Sequence, residues 1–302
     1  HDCLVGFGGG SPMDTAKAMA ILAAAPPGAK MRDFKVPAQA NRAALPVVCV
    51  PTTAGTGSEA TRFTVITDTE RDEKMLIAGL GALPLAAVVD FELTFSVPPR
   101  TTADTGIDSL THALEAFVSR RANDEADEYA LRAMRLIAPN LRTVYREPAN
   151  AVARAAMMKG ATLAGIAFSN ASVALVHGMS RPIGAHFHVP HGLSNAMLLP
   201  AVTEYSLNAA LPRYAGAARA MGVATAAEGD QSAAATLLQE LRDLNRDLAV
   251  PTPAAFGIDA AKWDGLLPTM AAQALASGSP ANNPAVPTAE EIVGLYRRAW
   301  AG

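Results

Sequence analysis

The sequence predicts an α/β nucleotide-binding domain with a Rossmann-like parallel sheet, followed by an all-helical domain. Short apolar runs alternate with glycine-rich or helical segments as far as Asp90. Pro98 and Pro99 then interrupt the chain, and the segments beyond them are long, rich in Ala and Leu, and free of strand-like runs. We therefore predict an α/β domain at residues 1–98 and a helical metal and substrate domain at residues 99–302.

The elements of the first half are predicted in chain order. Leu4 to Phe7 is a short strand, and Ser11 and Pro12 are typical of the N-cap and first position of a helix that runs to Ala24. The remaining predictions are buried strands at 45–50 and 86–90 and a hairpin formed by 63–67 and 74–78.

The second half contains segments with helical composition. They lie at 102–122, 124–137, 149–174, 192–207, 212–221, 231–248 and 288–299. The last segment opens with Thr288, two residues before a Glu-Glu pair, a pattern that marks a helix start. An α/β half followed by an all-helical half indicates two domains with a ligand-binding cleft between them.

Composition excludes several classes of partner. The 302 residues carry a net charge of −3, so no basic field is available for nucleic acid or an anionic membrane. The apolar runs, such as 18–27, are too short to span a bilayer. Cys3 and Cys49 fall in apolar strand-like runs, and we predict that both are reduced core thiols of a cytoplasmic protein.

Two glycine-rich turns indicate a nucleotide site. The first, GFGGGSPMDTAK, joins a strand to a helix start, where backbone N–H groups can bind a phosphate. It departs from G-x-G-x-x-G because Ser11 occupies the third glycine position, and it lacks the Lys-Ser/Thr of a P-loop. The second, PTTAGTGSE at 51–59, also follows a strand. Two such turns at strand ends are typical of a dinucleotide site.

A metal site is indicated by histidines in a chain that has only six. Asp108 and His112 are four residues apart, so a helix places them on one face. Four of the other histidines fall within 177–191, and spacing alone does not choose among His186, His188 and His191. One carboxylate with several imidazoles suits iron(II), zinc, nickel or manganese. The alternative is an ordinary Asp–His pair beside a polar loop.

These motifs together resemble those of a known family. GGGSPMDTAK, PTTAGTGSE, TGIDSLTHALE and VHGMSRPIG-x5-PHG occur in this order, and the chain resembles the iron-containing, group III alcohol dehydrogenases along essentially its whole length. The resemblance implies a Rossmann-like domain followed by a helical one. It also implies a further N-terminal segment, so we expect this chain to be truncated at its N-terminus.

The resemblance implies specific site residues. The implied metal ligands are Asp108, His112, His177 and His191, which leaves His186 and His188 outside the ligand set. Iron(II) is the implied metal, and the same ligands would hold zinc or nickel. The implied cofactor is NAD or NADP, with contacts from Gly9, Gly10, Ser11, Asp14, Thr52, Thr53, Thr56, Lys74 and Leu93. Phe168, nine residues before His177, is expected to line an apolar part of the substrate pocket.

Arg181 departs from the pattern of this family. Many members have a histidine at this position, near the nicotinamide, where it is assigned to proton transfer. Arginine stays protonated and can pair with a carboxylate or phosphate. The hypothesis is therefore that Arg181 contacts an anionic substrate or the cofactor, or forms a structural pair. The loop Asn283-Pro284-Ala285 also departs from the Asn-Pro-Arg of many members.

The expected activity is that of a metal-dependent, NAD(P)-linked alcohol dehydrogenase or aldehyde and ketone reductase, with hydride transfer in an interdomain cleft. Maleylacetate reductases and hydroxyacid-oxoacid transhydrogenases, which act on acids, are alternatives, as are glycerol dehydrogenases, dehydroquinate synthases and a non-catalytic scaffold of the same fold. The expected partners are a small alcohol or aldehyde and further copies of the chain, in a homodimer or higher homo-oligomer.

Overall fold

The computed structural model describes residues 2–71 and 73–301. The strands are β1 (Leu4–Gly8), β2 (Val47–Pro51), β3 (Phe63–Asp68), β4 (Glu73–Ala78) and β5 (Ala86–Ala87). The helices are α1 (Gly10–Ala23), α2 (Pro99–Val118), α3 (Asp124–Arg146), α4 (Ala151–Ala171), α5 (Leu175–Phe187), α6 (His191–Ser206), α7 (Leu211–Ala220), α8 (Asp230–Asp247), α9 (Pro253–Phe256), α10 (Ala260–Ala276) and α11 (Ala289–Ala301). The predicted fold class, an α/β portion followed by helices, is confirmed.

The three strands β1, β2 and β5 form a parallel sheet in that order, with Leu4 opposite Val47 and Val48 opposite Ala86. Helix α1 lies in the crossover between β1 and β2 and packs its apolar residues on one face of the sheet, as parallel strands require. On the other face, the side chains of Val5 and Phe7 are about 60 % exposed (61 % and 60 %).

Two details of this sheet differ from the predictions. The strand predicted at 86–90 has only two residues, and both are exposed, because it pairs with β2 alone. Cys49 is buried as predicted, whereas Cys3 is exposed because it precedes β1 at the edge of the sheet. The prediction that both cysteines are core thiols is therefore wrong for Cys3.

The first helix begins earlier than predicted, at Gly10 rather than at Pro12, and its N-cap is Gly9 rather than Ser11. The second glycine-rich turn packs directly over this helix start. A Cβ on Gly10 would lie 2.9 Å from Cγ2 of Thr56, so a larger residue would push the two turns apart. Ser11 and Pro12 therefore lie inside the first helical turn.

The predicted hairpin is confirmed as β3 and β4, which pair in antiparallel register from Phe63 opposite Ala78 to Asp68 opposite Glu73. Ion pairs join the strand ends to the preceding single turn of 3-10 helix, Met31–Phe34. Arg32 contacts both Asp68 and Glu73.

Most predicted helices are confirmed. The single turn α9 was not predicted, and neither were the longer helices α5 and α10. Both contain a proline, Pro182 and Pro268 respectively, and α5 also has two glycines, so helix propensity is poor and tertiary packing decides. Helix α3 continues past Pro139 to Arg146 because its buried stripe, which includes Leu141 and Val144, continues as well.

Helix α4 is the one helix in the described residues that is long and apolar enough to span a membrane. It packs against α2 and α3, and 61 % of its apolar window is buried inside the fold. Its Gly165 lies against the backbone of Gly57, where a Cβ would come within 2.7 Å of the Gly57 carbonyl oxygen. Helix α4 therefore packs as a core helix of the fold.

A buried lysine joins α1 to the second glycine-rich turn. The Lys17 side chain is fully buried, and its Nζ donates to the carbonyl oxygens of Ser58, Thr61 and Phe63. Burial lowers the pKa of Lys17, while the carboxylates of Asp14 and Glu59 oppose that shift. The ammonium group thus fixes a stretch of chain that has little regular structure of its own.

We expect Lys17→Met to lower the free energy of unfolding by about 3 kcal/mol, because it leaves three carbonyl oxygens and two buried carboxylates without their cation. Urea unfolding followed by circular dichroism measures the effect. Lys159→Met, at an exposed position on α4, is the matched control. Equal stabilities for the two variants would contradict the role assigned to Lys17.

Candidate active site

A cavity of about 280 Å³ lies between the two glycine-rich turns, the hairpin and helices α2, α4 and α5. It brings together most of the site residues that the sequence predicts. Those that line it are Gly10, Ser11, Asp14, Thr56, Lys74, Asp108, His112, Phe168, His177, Arg181 and His191. The nucleotide motifs and the metal motifs therefore face one common space.

The first wall of the cavity is formed by the two turns. The backbone N–H of Thr52 donates to the carbonyl of Gly8 at 2.9 Å, which holds the turns side by side. Gly10 and Ser11 begin α1, where unpaired backbone N–H groups and the helix dipole favour an anion. This wall is suited to a phosphate.

Asp14 lines the cavity and also forms hydrogen bonds that join α1 to neighbouring elements. Its carboxylate accepts from the Ser58 hydroxyl at 2.6 Å and from the Val65 backbone N–H at 2.9 Å. Burial raises the pKa of Asp14, and the Lys17 ammonium group and the hydrogen bonds oppose that rise. Asp14 therefore fastens α1 to both the second turn and the hairpin.

Four predicted cofactor residues do not line the cavity. Gly9 faces Thr53, whose Oγ1 would be 3.5 Å from a Cβ on Gly9. Thr52 makes the backbone bond to Gly8. Leu93 lies in the single turn Phe91–Thr94, which precedes α2. Gly9, Thr52 and Thr53 thus belong to the two turns but not to the lining of this cavity.

Three candidate metal ligands, Asp108, His177 and His191, lie close together. Oδ1 of Asp108 lies 3.4 Å from Nε2 of His177 and 3.8 Å from Nε2 of His191. One donor atom from each of the three residues lies within 4.8 Å of the others. Asp108 and His177 are buried, and His191 begins α6 at the edge of the cavity. Such a cluster has the size and donor types of a divalent metal site.

Asn195 stands in the middle of this cluster. Its Nδ2 donates to Oδ1 of Asp108 at 2.7 Å and lies 3.2 Å from Nε2 of His177 and 3.4 Å from Nε2 of His191. The amide hydrogens therefore occupy the position toward which the three ligand atoms point. Its own Oδ1 is buried without a hydrogen-bond partner in the described residues. Oδ1 of Asp108 and Nε2 of His177 and of His191 thus surround a position that suits a positively charged group.

The orientation of His177 is set by Glu115. Nδ1 of His177 donates to Oε2 of Glu115 at 2.6 Å, which directs Nε2 toward Asp108. The same carboxylate accepts the backbone N–H groups of Ala174 and Val176, at 2.9 and 2.6 Å. A carboxylate behind a histidine is a common support for a metal ligand, since it fixes the tautomer and raises its basicity.

His112 is close to the cluster but has a different geometry. Its Nε2 is 3.8 Å from Oδ1 of Asp108, and its ring stacks between Phe168 and His177 with centroids 4.2 and 4.4 Å away. Its Nδ1 is buried without a partner in the part of the chain that the structure describes.

Burial and the neighbouring charges separate the pKa values of these groups. Burial lowers the pKa of His112 to about 4 and that of His191 to about 3, which favours the neutral imidazoles that bind metals. Burial opposes a charge on His177 too, but Glu115 and Asp108 outweigh it and raise the pKa of His177 to about 9. The histidines keep the pKa of Asp108 below its usual range, against its burial.

Two histidines lie outside the cluster. Nε2 of His186 donates to Oε1 of Gln273 at 2.8 Å on the protein surface. His188 is exposed and ends α5 in the left-handed conformation, with φ of 55°.

Arg181 lies one turn after His177 and donates from Nη1 to the Ser279 hydroxyl at 3.0 Å.

The sequence-based site omitted Glu115 and Asn195. Glu115 follows Asp108 by seven residues and His112 by three, so it lies on the same face of α2. Asn195 follows His191 by four residues on α6. Helical spacing from each predicted ligand could have found both residues, whereas their partners on α5 could not be read from spacing.

Family models match both halves of the chain. The model described as iron-containing alcohol dehydrogenase matches residues 1–91, and the C-terminal model of the Fe-containing alcohol dehydrogenase family matches residues 102–300.

Curated proteins with assigned activities are similar to the chain along nearly its whole length. Over 299 residues it is 36 % identical to lactaldehyde reductase of Escherichia coli (strain K12), covering 99 % of this chain and 77 % of that protein. Over 300 residues it is 37 % identical to 1,3-propanediol dehydrogenase of Klebsiella pneumoniae, covering 99 % and 76 %.

Solved structures agree with the fold. A 1,3-propanediol oxidoreductase superposes with a TM-score of 0.92 at 35 % identity, covering 99 % of this chain and 77 % of that one. A sulfoacetaldehyde reductase from Bifidobacterium kashiwanohense, in complex with NAD+, gives a TM-score of 0.85 at 28 % identity, covering 99 % and 76 %.

We expect Glu115→Gln to weaken iron(II) binding about 10- to 100-fold, because an amide is a poorer acceptor for His177 Nδ1 and for two backbone N–H groups. Competition with a metal chelator measures the affinity. Glu125→Gln, at an exposed position in the first turn of α3, is the matched control. Unchanged iron affinity in Glu115→Gln would remove its supporting role.

Proposed function

Because the chain belongs to the iron-containing alcohol dehydrogenase family, we propose that its cavity interconverts a small alcohol and the corresponding aldehyde or ketone, with iron held by Asp108, His112, His177 and His191. The observation that carries this proposal is the convergence of Asp108 Oδ1 with Nε2 of His177 and of His191, in the cavity that the glycine-rich turns also line. The activities of the relatives, on lactaldehyde and 1,3-propanediol, support a small substrate.

The donor set fits the implied metal. One carboxylate and three imidazoles suit iron(II) and would also hold zinc or nickel. Nε2 of His112 lies 3.8 Å from Oδ1 of Asp108, which places a fourth donor beside the other three. When bound, iron(II) supplies Lewis-acid polarisation of an oxygen atom, and the nicotinamide of NAD or NADP supplies or accepts a hydride.

The residues of the chain orient the reactants and exclude water. Glu115 holds Nε2 of His177 toward the cluster. Phe168, stacked between His112 and Phe63, forms an apolar wall that shields the cavity. For the cofactor, we propose that the N–H groups at Gly10 and Ser11 face the diphosphate, because both residues line the cavity at the start of α1.

We propose that the proton leaves through water or the cofactor ribose, because no side chain among the described residues of the cavity is a suitable base. Arg181, at the position of the histidine in many family members, stays protonated and is a poor acid or base. The Asp14 carboxylate is bonded to Ser58 and to the Val65 backbone. Neither group is free to carry a proton to and from the substrate.

We also propose two domains, at 1–98 and 99–302, because the described strands all precede α2 and the matched family models meet between residues 91 and 102. A cytoplasmic location is supported by the free thiols of Cys3 and Cys49. A homodimer or higher homo-oligomer stays a prediction from the family resemblance, and sedimentation measures it.

We expect His191→Asn to lower both the iron content and the rate of NAD(P)H-dependent aldehyde reduction, by about 100-fold or more, because the cluster loses one of its donors. The assay strips the metal and restores iron, zinc or nickel singly, with NADH and with NADPH. His188→Asn is the matched control, because His188 is exposed and asparagine tolerates its left-handed conformation.

Full activity and full iron content in His191→Asn would contradict the proposed metal site. A wild-type protein that reduces no aldehyde with either nucleotide, while holding iron, would contradict the proposed reaction.

A further inference from the structure

Two basic side chains face the cavity beside the metal cluster. Arg181 comes from α5, one turn after His177, and Lys74 comes from β4. Both line the cavity that contains Asp108, His177 and His191. The amino end of Lys74 lies against α5, with Nζ 3.1 Å from the position of a Cβ on Gly184. The hairpin therefore brings a second cation to the helix that carries the first.

Among the residues that the structure describes, neither cation has a carboxylate partner. Within residues 2–71 and 73–301, Arg181 has the Ser279 hydroxyl as its hydrogen-bond acceptor, and no carboxylate oxygen lies within ion-pair distance of Arg181 or Lys74. Glu115 is the carboxylate whose charge opposes the lowering of the Arg181 pKa by burial. Its oxygens already accept hydrogen bonds from His177 and from two backbone N–H groups. Most of the guanidinium donors thus remain available.

The positive charges of Lys74 and Arg181 also repel each other. Burial lowers the pKa of Lys74, and the positive charge of Arg181 lowers it further. Burial likewise lowers the pKa of Arg181. Two like charges in a partly buried wall are unfavourable unless an anion lies between them. An anionic ligand would relieve both the repulsion and the unpaired donors.

A second cavity lies on the far side of the same two residues. It also has a volume of about 280 Å³, and Lys35, Arg71, Lys74 and Arg181 line it. Among the described residues that line it, the one carboxylate is Glu73, which is already paired with Lys35 and Arg32. Lys74 and Arg181 therefore line both cavities, and in the second one basic side chains outnumber acidic ones among the described residues, which favours anions.

The position of this pair favours the substrate over the cofactor phosphates. The helix start at Gly10 and Ser11, on a different element of the lining, is the site proposed for the cofactor phosphates. Arg181 instead follows His177, a candidate metal ligand, by one helical turn, and Lys74 lines the same cavity as Arg181, His177 and His191. The cations thus lie beside the atoms that would hold the reacting oxygen.

We propose that Arg181, held by Ser279 and assisted by Lys74, binds the anionic end of an aldehyde or alcohol substrate that carries a carboxylate or sulfonate group. Arg181 and Lys74 thereby determine specificity for a short ω-oxo or ω-hydroxy acid. This inference rests on the proposed dehydrogenase function, because it concerns the second end of the molecule whose oxygen the metal binds.

The test compares substrates that differ only in the anionic end. The ratio of kcat/KM for 4-oxobutanoate to kcat/KM for butanal is measured in wild type, Arg181→Gln and Arg181→Lys, and the comparison is repeated with chains one carbon shorter and longer. We expect the wild-type ratio to exceed 1 by about 10-fold or more, and Arg181→Gln to lower the ratio about 100-fold, since it removes charged hydrogen bonds. Arg181→Lys should restore part of the loss.

Lys74→Gln should lower the same ratio, and Arg135→Gln, at an exposed position on α3, is the matched control and should leave the ratio unchanged. A binding measurement without turnover accompanies the kinetics. Calorimetry of the iron-loaded, cofactor-free enzyme should give tighter binding of 4-hydroxybutanoate than of 1-butanol, and Arg181→Gln should abolish the difference.

Two results would overturn the inference. One is a wild-type enzyme that reduces butanal as well as or better than the oxo acids of every length. The other is an Arg181→Gln variant that raises the KM for NADH or NADPH and leaves the substrate ratio unchanged, since Arg181 would then contact the cofactor. Absence of all aldehyde reduction contradicts the proposed function instead, and calorimetry still reports on anion binding.

Discussion

The hydrogen bond between Glu115 and His177 is the interaction on which the geometry of the site depends. Glu115 projects from α2, the helix that carries Asp108 and His112, and it accepts the first backbone N–H groups around the start of α5. One carboxylate therefore orients a candidate ligand and positions the helix that bears it. Because α5 also carries Arg181, the same contact sets where the proposed substrate anion lies relative to the metal donors.

The cofactor side of the cavity depends on a comparable buried charge. Lys17 joins α1 to the irregular chain around residues 58–63, and Asp14 joins α1 to the same turn and to the hairpin. The hairpin in turn delivers Lys74 to the cavity. Each wall is thus positioned by a charged side chain that is buried and hydrogen-bonded. Such buried hydrogen bonds restrict the conformations of the loops that line the site.

Sequence patterns were sufficient for the fold class, the hairpin and most helices, and the proximity of Asp108 and His112 follows from helical spacing alone. Helix α5 could not be predicted because Gly178, Pro182 and Gly184 weaken its propensity, and packing against other helices stabilises it instead. Lys74 and Arg181 line the same cavity although they are more than one hundred positions apart in the chain. No local pattern encodes such proximity, so it required the tertiary structure.

The proposed metal centre is tested most directly by a crystal structure of the iron-loaded protein with anomalous diffraction recorded on both sides of the iron absorption edge. We expect one strong iron peak bonded to Oδ1 of Asp108 and to Nε2 of His177 and His191, with a nitrogen of His112 as a further ligand and Glu115 still bonded to Nδ1 of His177. An iron peak elsewhere, or none at this cluster in a protein that retains stoichiometric iron, would contradict it.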